Sequence, residues 1–150
     1  MTELLKLDGV GIGGDLVTFT RTTDLANWNR YAAVNDEFVD MHMDDDAGVA
    51  AGYPGAFGMG NLQWAYLHNV LRTWLGTDGE IRQLSCQFRS PNLKGQTVSA
   101  RARVTAIDVV ADETYVALDV WTENQDGEKL APGSCVVSFP SSGSSRLSAP

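Results

Sequence analysis

The chain has 150 residues, of which 43% are hydrophobic, and a formal net charge of −8. That supplies one substantial apolar core, and nothing in the sequence argues for a second domain. The acidic balance argues against nucleic acid or an anionic membrane surface as partner, because both reward clustered Lys and Arg.

From the N-terminus, an apolar patch at Leu4, Leu5 and Leu7 precedes a glycine-rich run, GVGIGG, at Gly9 to Gly14. The run superficially looks like a nucleotide-binding loop, but it leads into strand-like residues Leu16 to Thr20 instead of a helix, so it fails the context that such a loop requires. Thr22, Thr23 and Asp24 offer N-cap side chains for a helix near Leu25 to Val34, where Leu25, Trp28, Tyr31 and Ala32 return at helical spacing. A loop from Asn35 to Met43 follows, then a short helix near Asp44 to Ala51 whose leading carboxylates suit a helix N-terminus.

The longest periodic element comes next. After Pro54 the spacing predicts a helix from Asn61 to Leu75, with Leu62, Ala65, Tyr66, Val70, Leu71 and Trp74 on its apolar face and Gly76 as its stop. Beyond it the period changes to two. Leu84, Cys86 and Phe88 share a parity, as do Val98, Ala100, Ala102 and Val104, then Val116, Leu118 and Val120 between turns at Ala111 to Glu113 and Asn124 to Gly127. A last strand, Ser134 to Phe139, runs into SSGSSRLSAP, which is expected to be disordered. Helices first and long antiparallel strands afterwards predict an α+β domain in which a sheet wraps a central helix.

Chemistry concentrates in YAAVNDEFVDMHMDDD, from Tyr31 to Asp46, where a helix breaks into a loop carrying adjacent carboxylates and one of two histidines. A carboxylate beside an imidazole can hold and deprotonate a water molecule. The small-residue segment Gly52 to Gly60 then leads into the long helix, whose free N–H groups and partial positive charge suit a developing oxyanion.

These residues resemble the MaoC-like (R)-specific enoyl-CoA hydratases, whose pattern is roughly aromatic-Ala-x-x-Ser-x-Asp-Phe-x-Pro-x-His. Aligned without a gap, the family's catalytic Asp falls on Glu37 and its His on His42. Asp44, Ala47 and Pro54-Gly-Ala-Phe-Gly-Met59 occupy the places of the family's next acidic residue, Ala and Pro-x-x-His-Gly-Met. Phe88-Arg-Ser-Pro-Asn-Leu-Lys-Gly-Gln-Thr-Val98 is similar to its Phe-x-x-Pro-x-x-x-Gly-Asp-x-Val. The resemblance spans roughly residues 13 to 140 and implies a hotdog fold over residues 1–140, with 141–150 as the tail. It also implies hydration of a trans-2-enoyl-CoA thioester to an (R)-3-hydroxyacyl-CoA, with Glu37 and His42 as the catalytic pair, Asp36 as the neighbouring candidate, and Gly58, Met59 and Gly60 binding the thioester oxygen. No cofactor and no metal are implied. The expected partners are the acyl-CoA substrate and a second hotdog subunit, identical or different.

The chain departs from the family at named positions. Glu37 replaces Asp, and the extra methylene moves a carboxylate by about 1 Å, a displacement that can cost on the order of a hundredfold in rate. Val39-Asp40 stands for Asn-Pro, and Phe57 for a second histidine. An acid in the proline position without the second histidine is similar to small hydratase subunits of steroid side-chain degradation, which work with a different hotdog chain. A non-catalytic or half-catalytic subunit and an acyl-CoA thioesterase therefore stand as alternatives.

Structural readings accompany the functional ones. His42 as a backbone-bonded loop histidine, Glu37 as a solvated acid, and Asp36 and Asp40 as capping or turn residues are the plainer assignments. His42 with Asp44, Asp45 and Asp46 is too crowded in sequence to converge on a metal. His68 is assigned to packing or an interface. Arg82, Arg89, Lys94, Arg101 and Arg103 are candidates for CoA phosphates, with solvated strand faces as the alternative. Cys86 and Cys135 are expected as free, structural thiols, since neither has CxxC context and no export signal is seen. Without a secretory segment or a run of about 20 apolar residues, the expected location is cytoplasmic.

Overall fold

The period-two alternation after Gly76 builds one antiparallel sheet, and the long amphipathic helix lies against it. A computed structural model describes residues 9–140, and the order of elements is β1 (Phe19–Thr22), α1 (Leu25–Asn35), a 3-10 turn at Asp40–His42, α2 (Asp45–Ala50), β2 (Phe57–Gly58), α3 (Gly60–Leu75), β3 (Glu80–Cys86), β4 (Asn92–Leu93), β5 (Thr97–Val110), β6 (Glu113–Glu123) and β7 (Lys129–Pro140). The five-stranded sheet runs β1-β5-β6-β7-β3, and β2 pairs separately with β4. The apolar patch at Leu4, Leu5 and Leu7 and the expected tail at 141–150 lie outside the described residues.

One face of the sheet and one face of α3 make the core. Val98, Ala100, Ala102 and Val104 from β5 and Val116, Leu118 and Val120 from β6 are buried, against Leu62, Tyr66, Leu67, Val70, Leu71 and Leu75 from α3. Fully burying a Leu or Val side chain stabilises by about 1.5–3 kcal/mol. Packing of this face, more than intrinsic propensity, is what holds α3, because short isolated helices are marginal in water. Gln63 is also buried on α3, and its side-chain amide oxygen Oε1 accepts a hydrogen bond from the Thr122 hydroxyl on β6. That pair fixes the helix over the sheet with a direction that apolar contacts lack.

Local signals set the ends. Asp24 caps α1 by accepting from the Asn27 N–H at 2.8 Å, and Asp44 caps α2 by accepting from the Ala47 N–H at 2.9 Å. Gly76 closes α3 with φ 56°. The first strand differs from expectation: it begins at Phe19, while Asp15 forms an isolated bridge to Arg103 and the Leu16 N–H donates to the Ala102 carbonyl. The third strand is regular to Cys86, and beyond it the Gln87 and Arg89 N–H groups still donate to the Pro132 and Leu130 carbonyls of β7 at 2.9 Å; Phe88 between them is 52% exposed, its ring lying against Gly60 at the start of α3. Among the described residues no helix is long and apolar enough to cross a membrane.

Candidate active site

The strand-to-helix corner Phe57–Asn61 positions the residues singled out in the sequence. β2 and β4 pair with Gly58 opposite Asn92, and α3 starts at Gly60 with Met59 as a fully buried N-cap residue that supplies no side-chain hydrogen bond. The Leu62 N–H donates to the Met59 carbonyl at 3.1 Å, and the Gly60 and Asn61 N–H groups before it have no intrahelical acceptor, so these are the donors of the corner.

His42 is held at one end of it. The 3-10 turn brings the imidazole to Phe57, where Nδ1 donates to the carbonyl oxygen at 2.8 Å and the two rings meet edge-on with centroids 5.0 Å apart. Because a carbonyl only accepts, Nδ1 carries the proton and the lone pair of the neutral ring resides on Nε2. Tyr53 packs on the other side of Phe57, ring centroids 4.3 Å apart. Phe57 therefore holds its neighbours through both its ring and its backbone.

Glu37 is held at the other end. Asp36 takes a left-handed conformation, φ 53°, as the C-cap of α1, and its N–H donates to the Ala32 carbonyl. Short polar residues tolerate that conformation better than bulky ones. The chain turns out of α1 there, and the half-buried Glu37 carboxylate lies 3.3 and 3.4 Å from the side-chain nitrogen of Asn61. The negative charge of Glu37 also reaches Tyr31, whose phenol is pushed up first by burial and second by that charge.

Other candidates have structural partners. Asp36 is exposed at its cap position, and the carbonyl of Asp40 accepts from the N–H groups of Met43 and Asp44. Asp45 accepts from the Ala56 N–H at 3.0 Å and from Lys94 Nζ at 2.6 Å, and Lys94 followed by the Ala56 N–H holds its carboxyl below the usual range. Arg82 pairs with Glu80 and Glu113, Arg101 with Glu123, and Arg103 with Asp15, which matches the solvated-strand reading of these cations. Arg89 bonds to Gln87 through Nη2 at 3.0 Å. His68 packs beside Trp64, and burial, then Arg72, pushes its imidazole down. Among the described residues no three His, Cys, Asp or Glu side chains gather as a metal site.

Two features of the corner escaped the sequence reading. Asn61, the second residue of α3, receives Glu37, and the only hint of it was a polar residue at a helix start. Behind Gly58, Trp28 and Asn92 close in so tightly that a Cβ there would lie 2.8 Å from the indole nitrogen and 2.9 Å from the Asn92 amide oxygen. Asn92 in turn donates to the Thr23 hydroxyl at 2.9 Å. A cleft of about 310 Å³, lined by Asp45, Pro54, Gly55, Ala56, Leu93 and Lys94, adjoins the same segment.

No family model and no curated protein matches this sequence. Solved structures do match. An (R)-hydratase from A. caviae involved in PHA biosynthesis is 21% identical, with 87% of this chain and 98% of that chain covered and a TM-score of 0.78. The ChsH1-ChsH2 complex from Mycobacterium tuberculosis contains a chain 21% identical, covering 86% and 98%, with a TM-score of 0.75. A MaoC-like dehydratase from Rhodospirillum rubrum is 21% identical, covering 89% and 96%, with a TM-score of 0.74. At this level of identity the likeness is one of fold: the chain has the hotdog fold found in (R)-hydratases and MaoC-like dehydratases, with its sheet curled around α3.

Proposed function

We propose that the chain is a MaoC-like hydro-lyase that adds water to a trans-2-enoyl-CoA thioester, giving an (R)-3-hydroxyacyl-CoA. The observation that carries this reading is the tethering of Glu37 and His42 to the two ends of one corner, Asn61 and Phe57, with the uncapped start of α3 between them. The fold shared with (R)-hydratases supports it.

In this mechanism a water molecule lies between the Glu37 carboxylate and His42 Nε2. The carboxylate takes one proton as the oxygen adds to C3, while Nε2 accepts a hydrogen bond from the other hydrogen and so orients the attack. The electron pair of the double bond moves through C2 onto the thioester oxygen, which the N–H groups around Gly58, Met59 and Gly60 and the dipole of α3 stabilise. One such donor is worth about 3 kcal/mol in comparable sites. The proton then returns to C2, with the imidazole assisting, and the thioester carbonyl is restored.

A second reading is favoured by the surface around this pair. Val34, Phe38, Val39, Met41, Val49 and Tyr53 are all exposed, and they belong to α1, α2, the segment that carries His42 and the one that leads from α2 to Phe57. A second hotdog subunit, identical or different, is the proposed cover, and this chain would then contribute part of an acyl-binding tunnel. The M. tuberculosis relative was solved as a complex of ChsH1 with ChsH2.

The test is an assay of the purified chain against enoyl-CoA thioesters from crotonyl to bulky ring-bearing acyl groups, with chiral analysis of the product. Formation of the (R)-alcohol supports the proposal. Release of free CoA thiol without hydration identifies a thioesterase instead, and absence of both reactions favours the non-catalytic subunit.

A further inference from the structure

Glu37 carries one methylene more than aspartate, and its carboxylate is received by a side chain at the start of α3: both oxygens lie 3.3–3.4 Å from Asn61 Nδ2. An aspartate in its place has a shorter arm and would leave Asn61 beyond hydrogen-bond distance. We propose that Asn61 is a positioning residue that sets the Glu37 carboxylate for catalysis, so that glutamate and asparagine act as a matched pair in this chain. The inference rests on the hydratase reading above and deepens it by naming what fixes the carboxylate.

Three observations support the assignment. The backbone before Glu37 is fixed by the left-handed cap at Asp36 and by the Glu37 N–H, which donates to the Ala32 carbonyl at 3.2 Å. A flexible side chain on a fixed backbone still has three rotatable bonds, and the Asn61 amide restricts them. Asn61 also sits in the first turn of α3, where a carboxylate gains from the helix dipole. Its backbone is anchored by a helix whose next residues, Leu62 and Gln63, are buried. Asn61 itself is exposed, so replacing it removes a partner of Glu37 without opening the core.

The experiment compares Asn61→Ala, Glu37→Asp and the double variant. In the parent background Asn61→Ala is expected to lower kcat by about ten- to hundredfold, the range that misplacement of a reacting group commands, with KM within about twofold. In the Glu37→Asp background the same change is expected to have little further effect, because the shortened carboxylate has already lost the contact. Equal losses in both backgrounds, or an unchanged kcat in the parent background, overturn the proposal. The side-chain amide signals of Asn61 in NMR supply a readout independent of turnover. They are expected to move in the Glu37→Asp variant, and no movement rejects the pairing even if the enzyme hydrates its substrate. Conversely, movement in a chain that hydrates nothing removes the hydratase reading, and with it the catalytic role of Asn61, while leaving the contact established.

Discussion

Phe57 fixes the tautomer of His42 through its backbone: the imidazole Nδ1 donates to its carbonyl oxygen at 2.8 Å, leaving the lone pair of the neutral ring on Nε2. An asparagine at position 42 can present an amide N–H to the same carbonyl but has nothing in the place of Nε2. His42→Asn is therefore expected to fold with stability within about 1 kcal/mol of the parent, the scale of one neutral hydrogen bond. Its hydration rate is expected to fall about a hundred- to ten-thousandfold, the range for loss of a general acid–base group. Steady-state kinetics with thermal denaturation on the same sample checks both halves, and undiminished turnover would remove His42 from the mechanism.

Glu37 also acts on Tyr31, whose phenol is pushed up by burial and then by the neighbouring carboxylate. Neutralising the carboxylate with Glu37→Gln removes the second cause and keeps the first. The Tyr31 titration midpoint is expected to move down toward the ordinary tyrosine value in that variant. NMR titration of the Tyr31 ring measures it, and an unmoved midpoint would mean that the carboxylate lies elsewhere in solution.

Gly58 has no room for a side chain. A Cβ there would meet Trp28 Nε1 at 2.8 Å and Asn92 Oδ1 at 2.9 Å, and both neighbours are almost wholly inaccessible, so neither can retreat into solvent. Gly58→Ala is expected to cost about 1–3 kcal/mol, as overpacking does. For a chain of this size each kcal/mol lowers Tm by roughly 2–4 °C. Gly11→Ala, where a Cβ meets nothing within 4 Å, is the matched control and should leave Tm unchanged. A Gly58→Ala melting curve that overlays the control would show that the corner can open.

Cys135 is buried on β7, and its thiol is pushed up to about 12 by desolvation, while the half-buried Cys86 moves in the same direction. The thiolate is the reactive species, so at pH 8 Cys135 has on the order of one part in ten thousand available. An alkylating reagent should modify at most Cys86 in the native protein and both cysteines after denaturation. The linkage also has a sign. The folded state keeps the Cys135 proton up to about pH 12, whereas the unfolded thiol loses it near the ordinary value of 9.0. Unfolding therefore releases a proton between these values, and this contribution to stability is complete below about pH 9 and declines above it. Denaturant titrations at rising alkaline pH are expected to show that decline, and the Cys135→Ala variant should show less of it.

Much of the architecture was legible because burial repeats with the period of the backbone. The parity of Val98 to Val104 and of Val116 to Val120 matches their burial, and α3 ends at Gly76 as its glycine stop signal predicts. Phe88 shares the parity of Leu84 and Cys86 but is 52% exposed, because its ring lies over Gly60 at the start of α3, beyond the edge of the core. Gln63 was invisible as a core residue, since a polar side chain inside is explained only by its partner, Thr122, on a strand far along the chain.

The amino-acid sequence by itself determined the three helices and the long strands of the sheet, which of their faces turn inward, and that a carboxylate and a histidine share one loop ahead of a helix start. All of these follow from local periodicity, capping chemistry and spacing, which act between near neighbours. The short β2–β4 pair and the 3-10 turn at Asp40–His42 carried no such signal. Tertiary structure alone decided that His42 bonds to the Phe57 carbonyl, that Glu37 lies on Asn61 while Asp36 caps α1, and that Arg82, Lys94, Arg101 and Arg103 are engaged by acids. The reason is that each is a contact between chain-distant groups or with a backbone oxygen. Every residue carries that oxygen, so residue identity says nothing about where it points until the chain has folded.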